Sequence, residues 1–169
     1  MKGTKYYSNK QENTIALYLG WSVVTGSGSR STLPGDIQSD EWLGECKTHE
    51  TAGHKIIFYH SVWNKLQDEA ISKYKFPALF VDDGSQKVEN TWVMYSGEFP
   101  SGEYRSIAYP FANTANIGFK SLDMWAERNK YDSTVPVIFL VGLLGTKSQL
   151  CISSLKDFMV MFGSSFYLR

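Results

Sequence analysis

A chain of 169 residues, 43% hydrophobic and 15% aromatic, is long enough for one substantial core and carries no low-complexity tract. Its 17 basic and 17 acidic residues cancel, so bulk charge gives no argument for nucleic-acid binding. The longest apolar run, Val135 to Gly145, contains Pro136 and Gly142 and is too short for a membrane span, which argues against a membrane partner. The opening segment, with Lys2, Lys5 and Lys10, has no apolar stretch of the signal-peptide kind. Cys46 and Cys151 stand in apolar, strand-like contexts that suit a reducing cytoplasm better than a disulfide scaffold, and there is no C-x-x-C zinc knuckle.

The charge is unevenly spread. Residues 1–35 carry four basic groups and one acid, residues 36–102 eleven acids against six lysines, and residues 103–169 seven basic groups against five acids. A metal-binding centre between mildly basic ends and ordinary surface scatter both account for this.

In chain order, Ser8-x-x-Gln11 reads as a capping box opening a helix that Gly20 ends. Ile15, Ala16 and Leu19 form its apolar stripe, and Glu12 falls on that stripe, where a carboxylate is costly unless a cation meets it. Trp21 to Val24 is a predicted strand. Thr25 to Leu33 is a loop of Gly, Ser and Thr with one Arg, which leads to Pro34-Gly35-Asp36 and then to Glu45-Cys46-Lys47. A hairpin joining residues 36–38 to 42–47 would set Asp36 beside Glu45. Strand alternation projects Glu45 and Lys47 to one side, with Cα atoms about 6–7 Å apart, and Trp42, Gly44 and Cys46 to the other.

Further on, His54 to Tyr59 is a predicted strand. Ser61 can cap a helix to about Tyr74, with Val62, Leu66, Ala70 and Tyr74 inward. Phe76 to Val81 reads as a buried strand, Asp82-Asp83-Gly84 as a turn, and Val88 to Tyr95 as a returning strand. This order predicts an α/β core with helices against a mixed sheet. The C-terminal part faintly echoes the middle. His54–Phe58, a helix with Trp63 and Phe76–Val81 compare with Asn116–Lys120, a helix with Trp125 and Val135–Leu140. Duplication and chance recurrence of strand–helix–strand grammar explain the echo about equally, and the second block has no equivalent of Asp36, Glu45 and Lys47. Ser154 to Asp157 can cap a last short helix through Phe162, ended by Gly163.

Two carboxylates, Asp36 and Glu45, can hold a hard cation by oxygen ligation, and the Lys47 ammonium can meet an attacking water or a phosphate. Glu12 can complete the metal shell or orient its water. The plain alternative is a strand-face ion pair and a turn-forming Asp. Gly26 to Arg30 offers amides, hydroxyls and a guanidinium suited to phosphate, although it also reads as a flexible loop. It is no Walker motif, so nucleotide hydrolysis is not expected. Lys55 and Lys65 are candidate DNA-backbone contacts against a default of solvated lysines. His49, His54 and His60 fit no helical zinc pair, and the five tryptophans read as core.

With those residues in place, the chain resembles the restriction-endonuclease-like PD-(D/E)xK nuclease superfamily, and within it the archaeal-type Holliday-junction resolvases and their phage relatives. The resemblance runs from Glu12 to about Val81. It covers the inward Glu, the Trp-Ser-Val-Val strand, the Gly-Ser-Gly-Ser-Arg loop, Pro-Gly-Asp and Glu-Cys-Lys, then a helix and a Pro-led apolar strand. It implies a nuclease core over residues 1–95, a central mixed sheet flanked by helices; residues 96–169 read as a strand–helix–strand extension packed on or extending the same sheet, with one domain overall as the alternative. It also implies Mg²⁺-dependent phosphodiester hydrolysis (Mn²⁺ as substitute) by a cytoplasmic homodimer that cuts branched DNA, the host cytoplasm being the setting for a phage protein. No organic cofactor is implied. Glu12, Asp36, Glu45 and Lys47 would be the functional residues, with Ser27, Ser29 and Arg30 on phosphate. The alternatives are a nuclease for flaps, nicks or duplex ends, and a catalytically silent module with a nuclease-like fold. Two features depart from the archaeal pattern: a longer chain after the catalytic strand and the lack of overall basicity.

Overall fold

Strand alternation decides the layering of this chain. The computed structural model describes residues 2–25, 33–96, 100–111, 116–131, 134–142 and 149–163. In order, the elements are α1 (Thr4–Leu19), β1 (Ser22–Val23), β2 (Ile37–Gln38), β3 (Trp42–Lys47), β4 (Ile56–Phe58), α2 (His60–Ser72), β5 (Phe76–Asp82) and β6 (Thr91–Tyr95). They continue with β7 (Arg105–Ala108), β8 (Ile117–Phe119), α3 (Ser121–Arg128), β9 (Val137–Gly142), β10 (Gln149–Ser154) and α4 (Leu155–Phe162). Eight strands form one mixed sheet in the order β1-β2-β3-β5-β6-β10-β9-β7, and β4 pairs with β8 in a small second sheet. The protein is therefore α/β, with a large mixed central sheet flanked by helices. Strands from residues 22 to 154 belong to one continuous sheet, because β10 pairs with β6.

Successive residues of each central strand feed opposite cores. Leu43, Leu79, Val81, Trp92, Met94, Val137 and Phe139 point toward α2, α3 and the small sheet, where Trp63, Leu66, Met124, Ile56 and Phe119 cover them. Trp42, Cys46, Ala78, Phe80, Val93, Tyr95 and Ile138 point the other way, toward Ile15, Ala16 and Leu19 of α1 and Leu155 and Phe158 of α4. Trp21 stacks on Trp42 at 6.3 Å and meets Phe80 and Phe158 edge-on, the offset and T-shaped geometries that ring quadrupoles favour. Trp21, Trp42, Trp63 and Trp92 are buried, as core residues should be.

Several boundaries differ from the sequence reading. α1 begins at Thr4 with Gly3 as its N-cap, so Ser8 and Gln11 lie within the helix and form no capping box. Gly20 does end it, in the left-handed conformation. α2 is preceded by Tyr59 rather than capped by Ser61, and it ends at Ser72. Tyr74 has a positive φ of 56° and is 97% exposed, because the chain has already left the helix and turned its ring outward. Residues Val88–Asn90 form a 3₁₀ turn, so the strand begins only at Thr91. The last helix follows the expected cap: the Ser154 hydroxyl accepts the Asp157 amide at 3.1 Å.

A buried ion pair ties the two helix layers together. Arg128 at the end of α3 donates through Nε and Nη2 to both carboxylate oxygens of Asp157 in α4, at 3.1 and 3.0 Å. The same guanidinium donates to the Val135 carbonyl at 3.2 Å. Replacing Arg128 with Ala leaves a buried carboxylate uncompensated, so urea unfolding should show a loss of about 3–5 kcal/mol. An unchanged midpoint would show that the pair does not join the layers.

Candidate functional site

The β2–β3 hairpin brings the predicted acids together. Its register pairs Ile37 with Gly44 and Gln38 with Leu43. Ser39 closes the turn, donating its amide to the Trp42 carbonyl at 3.0 Å and accepting the Trp42 amide on its hydroxyl at 3.1 Å. Lys75 braces that turn from the far side, donating to Gln38 Oε1 and the Ser39 carbonyl. Gly35 enters the hairpin at φ +75°, and a Cβ there would meet Leu43 Cδ1 at 2.6 Å, so a side chain is excluded both conformationally and sterically. Gly44 is constrained sterically alone: its Cβ would meet Ile37 and Phe80 at 2.7 and 2.9 Å.

Asp36 is then held on both sides of Glu45. Its amide donates to the Gly44 carbonyl at 2.8 Å, and its carboxylate oxygen Oδ2 accepts the Cys46 amide at 2.8 Å. Glu45 Oε1 accepts from Lys47 Nζ at 2.5 Å, the same-face geometry expected two residues apart on a strand. Glu12 approaches from α1. Burial first, then repulsion from Asp36 and Glu45, raises its carboxyl to about 7, with Lys47 opposing. Burial alone would lower the Lys47 pKa. Its hydrogen bond and attraction to Glu45, with Asp36 adding, overcome this and raise it, so Lys47 stays a cation.

Three carboxylates thus face one lysine. Among the described residues no three His, Cys, Asp or Glu side chains are gathered into a ready metal cage. The donor chemistry nevertheless suits a hard divalent cation: the acids supply only oxygen, and their charge exceeds what Lys47 offsets. Thiolate chemistry is not available beside them. Burial raises the Cys46 thiol well above its usual range and pushes Cys151 up to about 11, and both cysteines are free.

Two groups that sequence reasoning did not assign to the site fix Lys47 in place. Gln11, buried on α1, donates Nε2 to the Lys47 carbonyl at 2.7 Å, and its Oε1 has no hydrogen-bond partner. The signal was its position four residues before Ile15 on the buried stripe, which the capping-box reading obscured. The second group is Asp82, fully buried at the end of β5, which accepts from the Thr48 hydroxyl at 2.6 Å and the Gly84 amide at 2.8 Å. Gln86 Nε2 joins the same node, donating to Thr48 Oγ1 and to the carbonyls of His49 and Gly84. Asp82 was read as a turn former; it also anchors the chain immediately after Lys47.

The remaining candidates lie elsewhere. Ser27, Ser29 and Arg30 fall outside the described residues. Lys55 and Lys65 are exposed, and Lys65 leans toward Glu69 at 3.7 Å. His49 and His54 stack with ring centroids 4.0 Å apart, and burial, then His54, lowers the His49 pKa. His60 uses its backbone amide to reach Asn116 Oδ1 at 3.1 Å. Among the described residues no helix is long and apolar enough to cross a membrane. Compared with protein-family models, curated proteins and solved structures, the chain matches none.

The raised Glu12 carboxyl has a thermodynamic consequence. Its folded pKa exceeds its unfolded value, so between about 4.5 and 7 the native state binds more protons and stability falls as pH rises. In metal-free buffer, Glu12→Gln should therefore stabilise the fold at pH 8 relative to pH 5. The gain should be about 1–2 kcal/mol, discounted for partial exposure. An equal effect of Glu12→Gln on the urea midpoint at the two pH values would show that burial and its acidic neighbours do not hold the Glu12 carboxyl above its ordinary value.

Proposed function

We propose that this chain is a metal-dependent DNA endonuclease acting on branched or junction DNA, as its resemblance to the PD-(D/E)xK resolvases implies. The observation that carries the reading is the double hold of Asp36 on β3, which keeps its carboxylate beside Glu45 and within electrostatic reach of Glu12. Asp36 and Glu45 would hold Mg²⁺, or Mn²⁺ in its place, and Glu12 would complete the oxygen shell or orient a water. When bound, the cation supplies polarisation of the phosphoryl oxygen and a more acidic water.

The rest is the chain's own work. Lys47, kept protonated by its acidic neighbours, presents a fixed positive charge where negative charge grows on the phosphoryl group. Gln11 and the Thr48–Asp82 node hold the strand end that carries Lys47, so this charge costs no reorganisation during the reaction. The proposed outcome is attack of a water oxygen on phosphorus and departure of the sugar oxygen with a proton. One observation favours a catalytically silent module instead: Asp36 caps the Cys46 amide and Glu45 pairs with Lys47, as purely structural groups would.

Cleavage assays separate these readings. Asp36→Ala and Glu45→Ala should each lower Mg²⁺-dependent cleavage of a four-way junction by at least about 100-fold, some 2.7 kcal/mol, while circular dichroism and most DNA binding stay unchanged. Flaps, nicked duplexes and linear duplex ends assayed at the same salt concentration define the preferred structure. Undiminished cleavage by either variant removes the site from the mechanism.

A further inference from the structure

The central sheet reads alike from its middle outward: β6-β5-β3 on one side of the β6–β10 pairing, β10-β9-β7 on the other. β3 runs parallel to β5 and β7 parallel to β9, while β5–β6 and β9–β10 are both antiparallel. In the small sheet, a displacement of 61 carries Ile56-Ile57-Phe58 onto Ile117-Gly118-Phe119, and Ile57 pairs with its own counterpart, Gly118. In the main sheet, a displacement of 58 carries Trp92 and Met94 onto Leu150 and Ile152, and Met94 pairs with its own counterpart, Ile152. Two halves of matching strand order that meet through antiparallel β6–β10 and β4–β8 pairings are what a two-fold relation produces. Trp63 of α2 corresponds to buried Met124 of α3 and not, as the sequence echo had it, to half-buried Trp125.

The same correspondence locates the second copy of the site. Leu79 and Val81 of β5, which face the α2 core, correspond to Phe139 and Val141 of β9, which face it too. Glu45 pairs with Leu79, and Ile107 pairs with Phe139. Lys47 pairs with Val81, and the ladder continued one step past Ala108 sets Tyr109 opposite Val141, its amide donating to the Leu140 carbonyl at 2.9 Å. Ile107 and Tyr109 therefore occupy the places of Glu45 and Lys47, and both pack against the core. β7 is the outer strand of the sheet on its side, whereas β3 is flanked by the β2 hairpin that supplies Asp36.

We infer that one chain contains the two-fold framework for which the resemblance invokes two copies. One half carries the hydrolytic groups and the other an apolar substitute, so the monomer nicks one strand of its DNA substrate per encounter. This rests on the nuclease reading of the Asp36–Glu45–Lys47 site. The two positions lie five strand spacings apart in the sheet, about 24 Å, far enough to address different strands. At the competent half, water oxygen forms the new bond to phosphorus and the bond to one sugar oxygen breaks, leaving one phosphate end and one hydroxyl end. Ile107 and Tyr109 themselves carry neither a carboxylate for a cation nor an ammonium for the phosphoryl charge, so the second strand stays intact.

The test is cleavage of supercoiled plasmid and of a four-way junction labelled on each strand, with Mg²⁺ and wild-type protein, alone and mixed with an equal amount of Glu45→Gln chains under excess DNA. The expected results are a nicked circle that accumulates as product, a rate proportional to protein concentration, and an unchanged rate per wild-type chain in the mixture. Paired cuts within one binding event, or their fall to about half per wild-type chain in the mixture because random pairing of an obligate two-fold dimer leaves only about a quarter of the dimers fully wild type, would overturn the inference and leave the nuclease reading standing. Absence of any cleavage, seen as intact substrate rather than as linear or resolved product, overturns both.

Discussion

The Asp36 carboxylate accepting the Cys46 amide is the contact on which the site depends. β2 contributes only two residues to the sheet, too few to fix the direction of the chain that enters it. The bond to Cys46, with the Asp36 amide on Gly44, extends the pairing along the strand on both sides of Glu45. Each neighbouring choice serves this contact: a left-handed Gly35 to enter the hairpin, a side-chain-free Gly44 beneath Ile37, and Ser39 with Lys75 to close the turn. Charge–dipole hydrogen bonds of this kind are short and comparatively strong, which suits a carboxylate that must remain in one orientation.

The electrostatics follow from that placement. Burial first, and then the nearby Asp36 and Glu45, raise the cost of ionising Glu12, while Glu45 and Asp36 outweigh burial at Lys47 and keep its proton. A cluster of this composition is more favourable with an added positive charge than without one. The large two-faced core, with some thirty buried apolar residues among those described, outweighs the local cost of gathering these charges.

Much of this was legible in the sequence. The hairpin followed from Pro34-Gly35-Asp36 ahead of a short apolar strand, and the sides taken by Glu45 and Lys47 followed from strand period alone. The Ser154 cap and the closing role of Gly20 were readable for the same reason: local chemistry decides them. Tertiary partners decide the rest. Gln11 looked like half of a capping box until its amide was seen on the Lys47 carbonyl, thirty-six residues away. Tyr74 fitted the apolar stripe of α2, but the helix stops at Ser72. The faint echo between the halves became specific only through strand registers, which moved the partner of Trp63 by one residue, to Met124.

On the proposed reading, Asp36, Glu45 and Glu12 would together offer oxygen ligands to one divalent ion. Calorimetric titration of the metal-free protein with Mn²⁺ addresses it without DNA or turnover. The account predicts one saturable binding event per chain, weakened or abolished in Asp36→Asn while the unfolding midpoint of that variant in chelator stays close to wild type. Absence of cation-dependent heat, or binding that is indifferent to the loss of the Asp36 charge, would contradict it.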